Sequence, residues 1–219
     1  TEKAGIIKEK SKLVVGEKNE ITNEIFINVC KEKLTEITFV PDISGDIVYS
    51  DIDYLNKNID TSIQACKSLN LNALNDKVIQ RGIDNVKINM GLFGRWSLIE
   101  DNPMIIFDSA HNESGFKSLA NQISKMTYNK IYILLSFVKG KKIKDLIRHL
   151  PEGSNIYFTS LKIERSMDLE EINLNFSESI KFDENPKRIF NNIKKEASKD
   201  DLILVTGSNY IAKEIFNEN

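Results

Sequence analysis

The stretch "GRWSLIEDNPMIIFDSAHN", Gly94 to Asn112, decides how the rest of the chain reads. Its centre, Met104 to Phe107, is a short apolar run that stops at Asp108 and gives way to small and polar residues. A run of this length, apolar on both faces and closed by polar residues ahead of a helical pattern, fits a strand buried in a parallel sheet. Its exit has two readings. It is an ordinary strand-to-helix turn, or it is a ligand site at the carboxyl edge of the sheet, where open α/β sheets bind their ligands. The same stretch holds the single Trp and one of the two His.

Working toward the C-terminus, the pattern repeats. "MIIFD" is followed by the helical "GFKSLANQISKM", then "KIYILLSFV", then "KKIKDLIRHL", then "NIYFTS". A short acidic helix leads to "SIKFD", and "NPKRIFNNIKKEAS", "DLILVTG" and "SNYIAKEIF" complete the series. Strands alternating with helices predict βαβ units and a mostly parallel, Rossmann-like sheet. "IYILL" and "LILV" are apolar on both faces, as inner strands covered by helices should be.

Working toward the N-terminus, the texture is less regular. "KLVVG" (Lys12 to Gly16), "EITFV" (Glu36 to Val40) and "IVYS" (Ile47 to Ser50) read as short strands. "NEITNEIFINVCKEKL" reads as a helix whose Ile21, Ile25, Val29 and Leu34 recur near helical spacing. "YLNKNIDTSIQACKSLN" and "NALNDKVIQRGIDNV" read as further helices, and the two glycines of "NMGLFG" mark a linker. The expected organisation is therefore an α/β segment over residues 1–90, a linker at 91–94, and a complete α/β domain over 95–219.

The 219 residues and their 41% apolar content suffice for a sizeable core. Lys plus Arg number 30 and Asp plus Glu 32, a net charge of −2 that gives no reason to expect nucleic acid or an anionic membrane as partner. No apolar run approaches the roughly 20 residues of a membrane helix, and no signal peptide is visible. Cys30 and Cys66 do not make a disulfide framework, and both are expected as reduced core residues of a cytoplasmic protein. The abundance of Asn, Lys and Ile reads as coding bias. The chain opens without Met in what reads as mid-element, so it is expected to be part of something longer.

Two strand exits stand out. "DSAHN" supplies Asp108, His111 and Asn112, and "TGSN" supplies Gly207, where backbone can approach an anion, and Ser208. No "GxGxxG" or "GxxxxGK[ST]" fingerprint is present, and two separated His with two separated Cys build no zinc site.

Four segments, in their order and spacing, carry a resemblance. "EKAGIIK" (Glu2 to Lys8), "GRW" (Gly94 to Trp96), "DSAHN" (Asp108 to Asn112) and Gly207–Ser208 with Tyr210 together resemble folylpolyglutamate synthases and dihydrofolate synthases, ATP-dependent ligases of the Mur ligase superfamily. The match covers the whole chain but only the C-terminal half of such an enzyme. It implies that residues 1–90 are the end of the central ATPase domain and 95–219 the glutamate-ligase domain. It further implies ATP and Mg2+ as cofactors, and folate or dihydropteroate and L-glutamate as substrates of a monomer. The substrate carboxylate would be activated as an acyl phosphate and attacked by the glutamate amine. By the same resemblance Lys3 matches a lysine that is carbamoylated and helps bind a magnesium ion, an oxygen ligand suited to a hard cation. Arg95 matches the linker arginine that reaches ATP phosphate, and Asp108 the acceptor of the ribose hydroxyls. His111 lies beside it, near the ATP and glutamate sites. Ser208 matches the serine holding the incoming glutamate's carboxylate, and Asn58 an asparagine near the adenine.

The chain also departs from the family pattern. Leu55 stands where a Gln is usual, Ile52 where a Gly is usual, and "GKK" (Gly140 to Lys142) keeps Lys141 but lacks the acids that normally flank it. The alternatives are another Mur-type amino-acid ligase or a divergent paralogue without catalysis. Because no phosphate loop is present, the 219-residue chain by itself is expected to be inactive.

Overall fold

The computed structural model describes residues 2–41, 50–91, 93–173 and 181–216. The chain divides into two compact units, Thr1–Leu92 and Phe93–Asn219.

The first unit opens on a 3-10 turn, Glu2–Ile6, and continues with β1 (Lys12–Val15), α1 (Glu20–Glu32) and β2 (Glu36–Phe39). Then come α2 (Asp53–Ser68), α3 (Asp76–Asp84) and α4 (Val86–Met90). β1 and β2 pair in parallel, Lys12 opposite Glu36 and Val15 opposite Phe39, with α1 as the crossover. The Asn19 side chain caps α1 by accepting from the Thr22 N–H at 3.2 Å. Ala4, Ile7 and Cys30 form a small core, against which Leu13, Ile25, Phe26, Val29 and Ile37 pack. Two of the apolar positions read as the helix's inner face are not inside: Ile21 is 76% and Leu34 74% exposed. Leu34 lies past the end of α1 with φ of 51°, so the helical period no longer applies to it. Cys30 is buried, which pushes its thiol pKa up, but Cys66 is only half-buried, on a helix without a buried residue. The strand expected at Ile47 to Ser50 lies mostly outside the described residues.

The second unit contains β3 (Ser97–Asp101), β4 (Met104–Phe107), α5 (Glu113–Ile123), β5 (Ile131–Leu135), α6 (Ile143–Ile147) and β6 (Asn155–Thr159). It continues with α7 (Leu169–Asn173), β7 (Lys181–Asp183), α8 (Pro186–Glu196), β8 (Leu202–Thr206) and α9 (Tyr210–Ile215). Six strands form one sheet in the order β3-β4-β8-β5-β6-β7. All pairs are parallel except β3 with β4. This is the mostly parallel α/β sheet expected from the sequence. β3 was not anticipated: "SLIED" is short and half polar because it is an edge strand with one exposed side.

Alternation along the inner strands divides the core in two. Ile131, Ile133, Leu135, Leu202 and Leu204 face a layer with Phe116, Leu119 and Ile123 of α5, Ile143 and Leu146 of α6, and Ile172 of α7. Tyr132, Leu134, Ile203 and Val205 face the other layer, with Ile189, Phe190 and Ile193 of α8 and Ile211 and Ile215 of α9. Every residue of β5 and β8 is buried. The cost of truncating one such Leu or Ile to Ala is about 2–5 kcal/mol. Asn112 and Asn185 cap α5 and α8, accepting from Gly115 N–H at 2.8 Å and Arg188 N–H at 3.0 Å. With Asn19 and Asn75 they give part of the asparagine excess a structural role.

Candidate functional site

The layering fixes where a crevice opens. β8 lies between β4 and β5. The helices that follow β4 and β5 pack on one face of the sheet, and the helix that follows β8 packs on the other. Neighbouring strands whose outgoing chains part in opposite directions leave a cleft at their carboxyl ends. The residues there are Asp108–Asn112 from β4, Ser136–Phe137 from β5 and Gly207–Asn209 from β8.

Gly207 is what lets the three exits close up. Its φ is 98°, and a Cβ on it would fall well inside 3.0 Å of the Ser136 carbonyl oxygen, closer than real Cβ atoms come. Its N–H donates to the Ala110 carbonyl at 3.0 Å, and the Ser136 N–H donates to Thr206 O at 3.2 Å, so β8 is tied to both neighbours at its last residues. The Ser136 hydroxyl is buried and has no hydrogen-bond partner among the described residues.

Asp108 is 4% exposed. Its Oδ2 accepts the Trp96 N–H at 2.8 Å and its Oδ1 the Ala110 N–H at 2.9 Å. It therefore fastens the turn before β3 to the exit of β4, while the capping of α5 is left to Asn112. Gly94, at φ 83°, makes that turn possible: a Cβ would meet Phe107 Cε1 at 2.9 Å. The Gly94 carbonyl accepts from both the N–H and the hydroxyl of Ser109, each at 2.9 Å. Arg95 is exposed, and its Nη1 donates to the Gly94 carbonyl at 3.0 Å and to the Ser109 hydroxyl. That occupies one arm of a guanidinium with five N–H donors. His111 is exposed, with Nδ1 3.0 Å from the Ser109 carbonyl. A carbonyl only accepts, so a neutral His111 carries its proton on Nδ1 and leaves Nε2 as acceptor. Ser208 is 6% exposed, and its Oγ accepts the Tyr210 N–H at 3.3 Å.

Asp108, His111 and Ser208 thus lie on two adjacent strand exits of one sheet, and Arg95, in the turn before β3, is held against the first of them through Ser109. Lys3 and Asn58 belong to the first unit. Lys3 is exposed in the 3-10 turn, and Asn58 is exposed on α2, where the side chain that closes the preceding turn is Asn56, bonded to Ser50 at 2.7 and 3.0 Å. Sequence reading passed over Asn56 and Ser136. The first sits two residues from a motif position, and the second ends an apolar run where a single Ser gives no signal. Among the described residues no group of three His, Cys, Asp or Glu side chains could hold a metal ion. No described helix is long and apolar enough to cross a membrane. An open cavity of about 430 Å³ lies at the opposite, amino edge of the sheet, lined by Met104, Met126, Tyr128 and Lys199 among others, and none of the residues singled out lines it.

Comparison with known proteins agrees with this architecture. The family model described as Mur ligase, glutamate ligase domain, matches residues 94–209. The chain belongs to the Mur ligase family through this domain. More particularly, it is 28% identical over 238 residues to the dihydrofolate synthase/folylpolyglutamate synthase of Buchnera aphidicola (subspecies Schizaphis graminum), covering 99% of this chain and 55% of the relative. It is 26% identical over 167 residues to the enzyme of that name from Bacillus subtilis, covering 73% of this chain and 37% of the relative. A crystal structure of a bifunctional folylpolyglutamate synthase/dihydrofolate synthase with Mn, AMPPNP and L-glutamate bound superimposes with a TM-score of 0.79 at 19% identity, covering 96% of this chain and 54% of that one. The chain thus spans about half the length of the relatives it matches most fully, and resembles their C-terminal portion.

Proposed function

We propose that this chain is the glutamate-ligase portion, with the end of the ATPase domain before it over residues 1–90, of an enzyme that joins L-glutamate to a folate or dihydropteroate carboxylate at the expense of ATP. The observation that carries the reading is the convergence of Asp108, His111, Arg95 and Ser208 on one crevice of the sheet, in a chain whose relatives carry the name of that activity. In this reading ATP phosphorylates the carboxylate, and the glutamate amine attacks the acyl phosphate and releases phosphate. No protein nucleophile is required, so catalysis is positioning and preorganised charge.

Each residue has a part that its geometry allows. Arg95 offers phosphate the guanidinium donors not used on Gly94 and Ser109. Asp108 accepts ribose hydroxyls alongside the Trp96 and Ala110 amides. His111, with Nε2 as acceptor, receives the proton that the glutamate ammonium must lose before its nitrogen attacks. Ser208, whose oxygen already accepts from Tyr210, donates its O–H to a glutamate carboxylate. By the family resemblance alone, a carbamoylated Lys3 would supply an oxygen ligand to magnesium, and Asn58 would belong to the adenine site. The described residues do not assemble a metal site of their own, so no step is assigned to the ion here.

The experiment is a two-part assay on the intact protein with ATP, magnesium, a reduced folate and L-glutamate: release of ADP, and mass analysis of the folate product. Glutamate-dependent ADP release with a product one glutamyl residue longer is expected. Absence of both, with dihydropteroate also tried as acceptor, would overturn the reading.

A further inference from the structure

We infer that Arg165 binds the side-chain carboxylate of the incoming amino acid and so selects glutamate over its amide. The inference rests on the ligase reading above and adds to it the group that sets specificity.

Arg165 lies in the loop that leaves β6, and that loop is fastened to the loop that leaves β5. Val138 and Ser166 form an isolated antiparallel bridge, Lys139 N–H donates to Arg165 O at 2.9 Å, and Met167 N–H donates to Phe137 O at 2.9 Å. The Ser166 hydroxyl accepts the Leu161 N–H at 2.7 Å and closes the loop on itself. From this fixed backbone the Arg165 side chain reaches the exit of β8. Its Nη2 donates to the Tyr210 hydroxyl at 3.2 Å, and its Cζ stands 5.8 Å from the centre of the Tyr210 ring. Tyr210 is in turn bonded through its N–H to the oxygen of Ser208. A cation is therefore held one tyrosine side chain away from Ser208, at the same edge of the sheet.

The charge around it is unbalanced. Lys139, on the neighbouring loop, lies 3.7 Å from Asp168 and 3.8 Å from Glu171 and is neutralised there. Glu214, on α9, is turned toward the Lys162 N–H at 2.7 Å. Arg165 is exposed and has no carboxylate within ion-pair distance among the described residues; its bond to Tyr210 uses one of its five N–H donors. Free glutamate brings two carboxylates to the crevice. With one on Ser208, a cation the length of Tyr210 away answers the other. A guanidinium discriminates strongly between a carboxylate and a carboxamide, because the amide nitrogen would present hydrogens to its own N–H groups.

The test uses the intact protein with ATP and a folate acceptor, varying L-glutamate, L-glutamine and L-isoglutamine (the α-amide). Arg165→Gln should raise the glutamate KM about 10- to 150-fold, the range for a lost hydrogen bond to a charged group. It should leave the ATP KM unchanged and narrow the preference for glutamate over glutamine, but not that over isoglutamine. Arg165→Lys should retain part of the preference, and Tyr210→Phe, which removes only the hydroxyl tether, should shift it in the same direction by less. These two variants carry the test if Arg165→Gln does not fold. An unchanged glutamate KM and unchanged preference in Arg165→Gln would overturn the inference while leaving the ligase reading intact, as would a narrowed preference over isoglutamine in place of glutamine. A wild type that adds no glutamate would overturn the ligase reading itself, before any variant is compared.

Discussion

Replacing Gly207 with Ala is the sharpest test of how the strand exits are built. Two separate costs arise. The backbone sits at φ 98°, where an L side chain is disfavoured by about 1–2 kcal/mol. The new methyl also meets the Ser136 carbonyl, with Phe137 Cε1 at 3.1 Å and Ser136 N at 3.2 Å as further neighbours. The Ser136 backbone cannot move aside cheaply, since its N–H is bonded to Thr206. Overpacking of this kind costs about 1–3 kcal/mol. The sum is about 2–5 kcal/mol, and at roughly 4 °C per kcal/mol for a domain of this size the midpoint should fall by about 8–20 °C. Gly140→Ala is the control. Its φ is 80°, but nothing lies within 4 Å of the added atom, so it bears the conformational cost alone. Thermal unfolding of the 219-residue chain followed by the fluorescence of Trp96, its single tryptophan, reports on the second unit. Equal midpoints for Gly207→Ala and Gly140→Ala would refute the close approach of β8 to β5 on which the crevice depends.

Three further outcomes are expected. Asp108→Asn should leave either the Trp96 or the Ala110 N–H facing an amide NH2, a loss of about 1–3 kcal/mol visible as faster exchange of those two amides and, in the intact enzyme, as a raised ATP KM; protection equal to wild type would contradict the pair of hydrogen bonds that the carboxylate accepts. Ser208→Ala should raise the glutamate KM by about 10- to 150-fold with little change for ATP, and an unaltered glutamate dependence would return Ser208 to a purely local role. Glu113, bonded to Lys117, Arg148 and His149 at the junction of α5 and α6, has its carboxyl lowered from the usual 4.5 to about 2. Because its folded pKa is depressed, its contribution to stability is complete above the unfolded value and is lost as pH falls through the window from about 4.5 to about 2. Carboxyl NMR should place the transition there, and Glu113→Gln should remove that part of the acid dependence; a midpoint near the ordinary value would show that Lys117, Arg148 and His149 do not hold it.

Much of the second unit was legible because its strands are buried on both faces. "IYILL" and "LILV" admit no other economical reading, and the sheet they form is the one observed. The edge was not legible, since β3 buries none of its residues fully, leaves Leu98 and Asp101 exposed, and carries no long apolar run. In the first unit helical spacing was a poor guide to burial: Ile21 sits in the exposed first turn of α1, and Leu34 lies past its end, where the helical period no longer applies. At the crevice the sequence pointed to Asp108 and Ser208 by residue type and position. It could not say that the Asp108 carboxylate receives two backbone amides, or that Tyr210 carries a cation from another loop. Those facts depend on which strands become neighbours, and neighbours in the sheet are far apart in the chain: β8 joins β4 across nearly a hundred residues.

That insertion of β8 has a consequence in time. The strand with the longest-range pairings in the sheet is also the one that follows all the others in sequence. During synthesis β4 and β5 emerge with a strand-wide gap between them, and their facing edges stay unpaired until residues 202–206 arrive. Such a sheet closes late, and its open edges are exposed to wrong partners until then. The same five residues deliver Gly207 and Ser208 to the crevice, so the site is completed in the step that completes the fold. A ribosome-stalled series of this domain should show protease resistance rising sharply once β8 has cleared the exit tunnel, with no partially formed site before it.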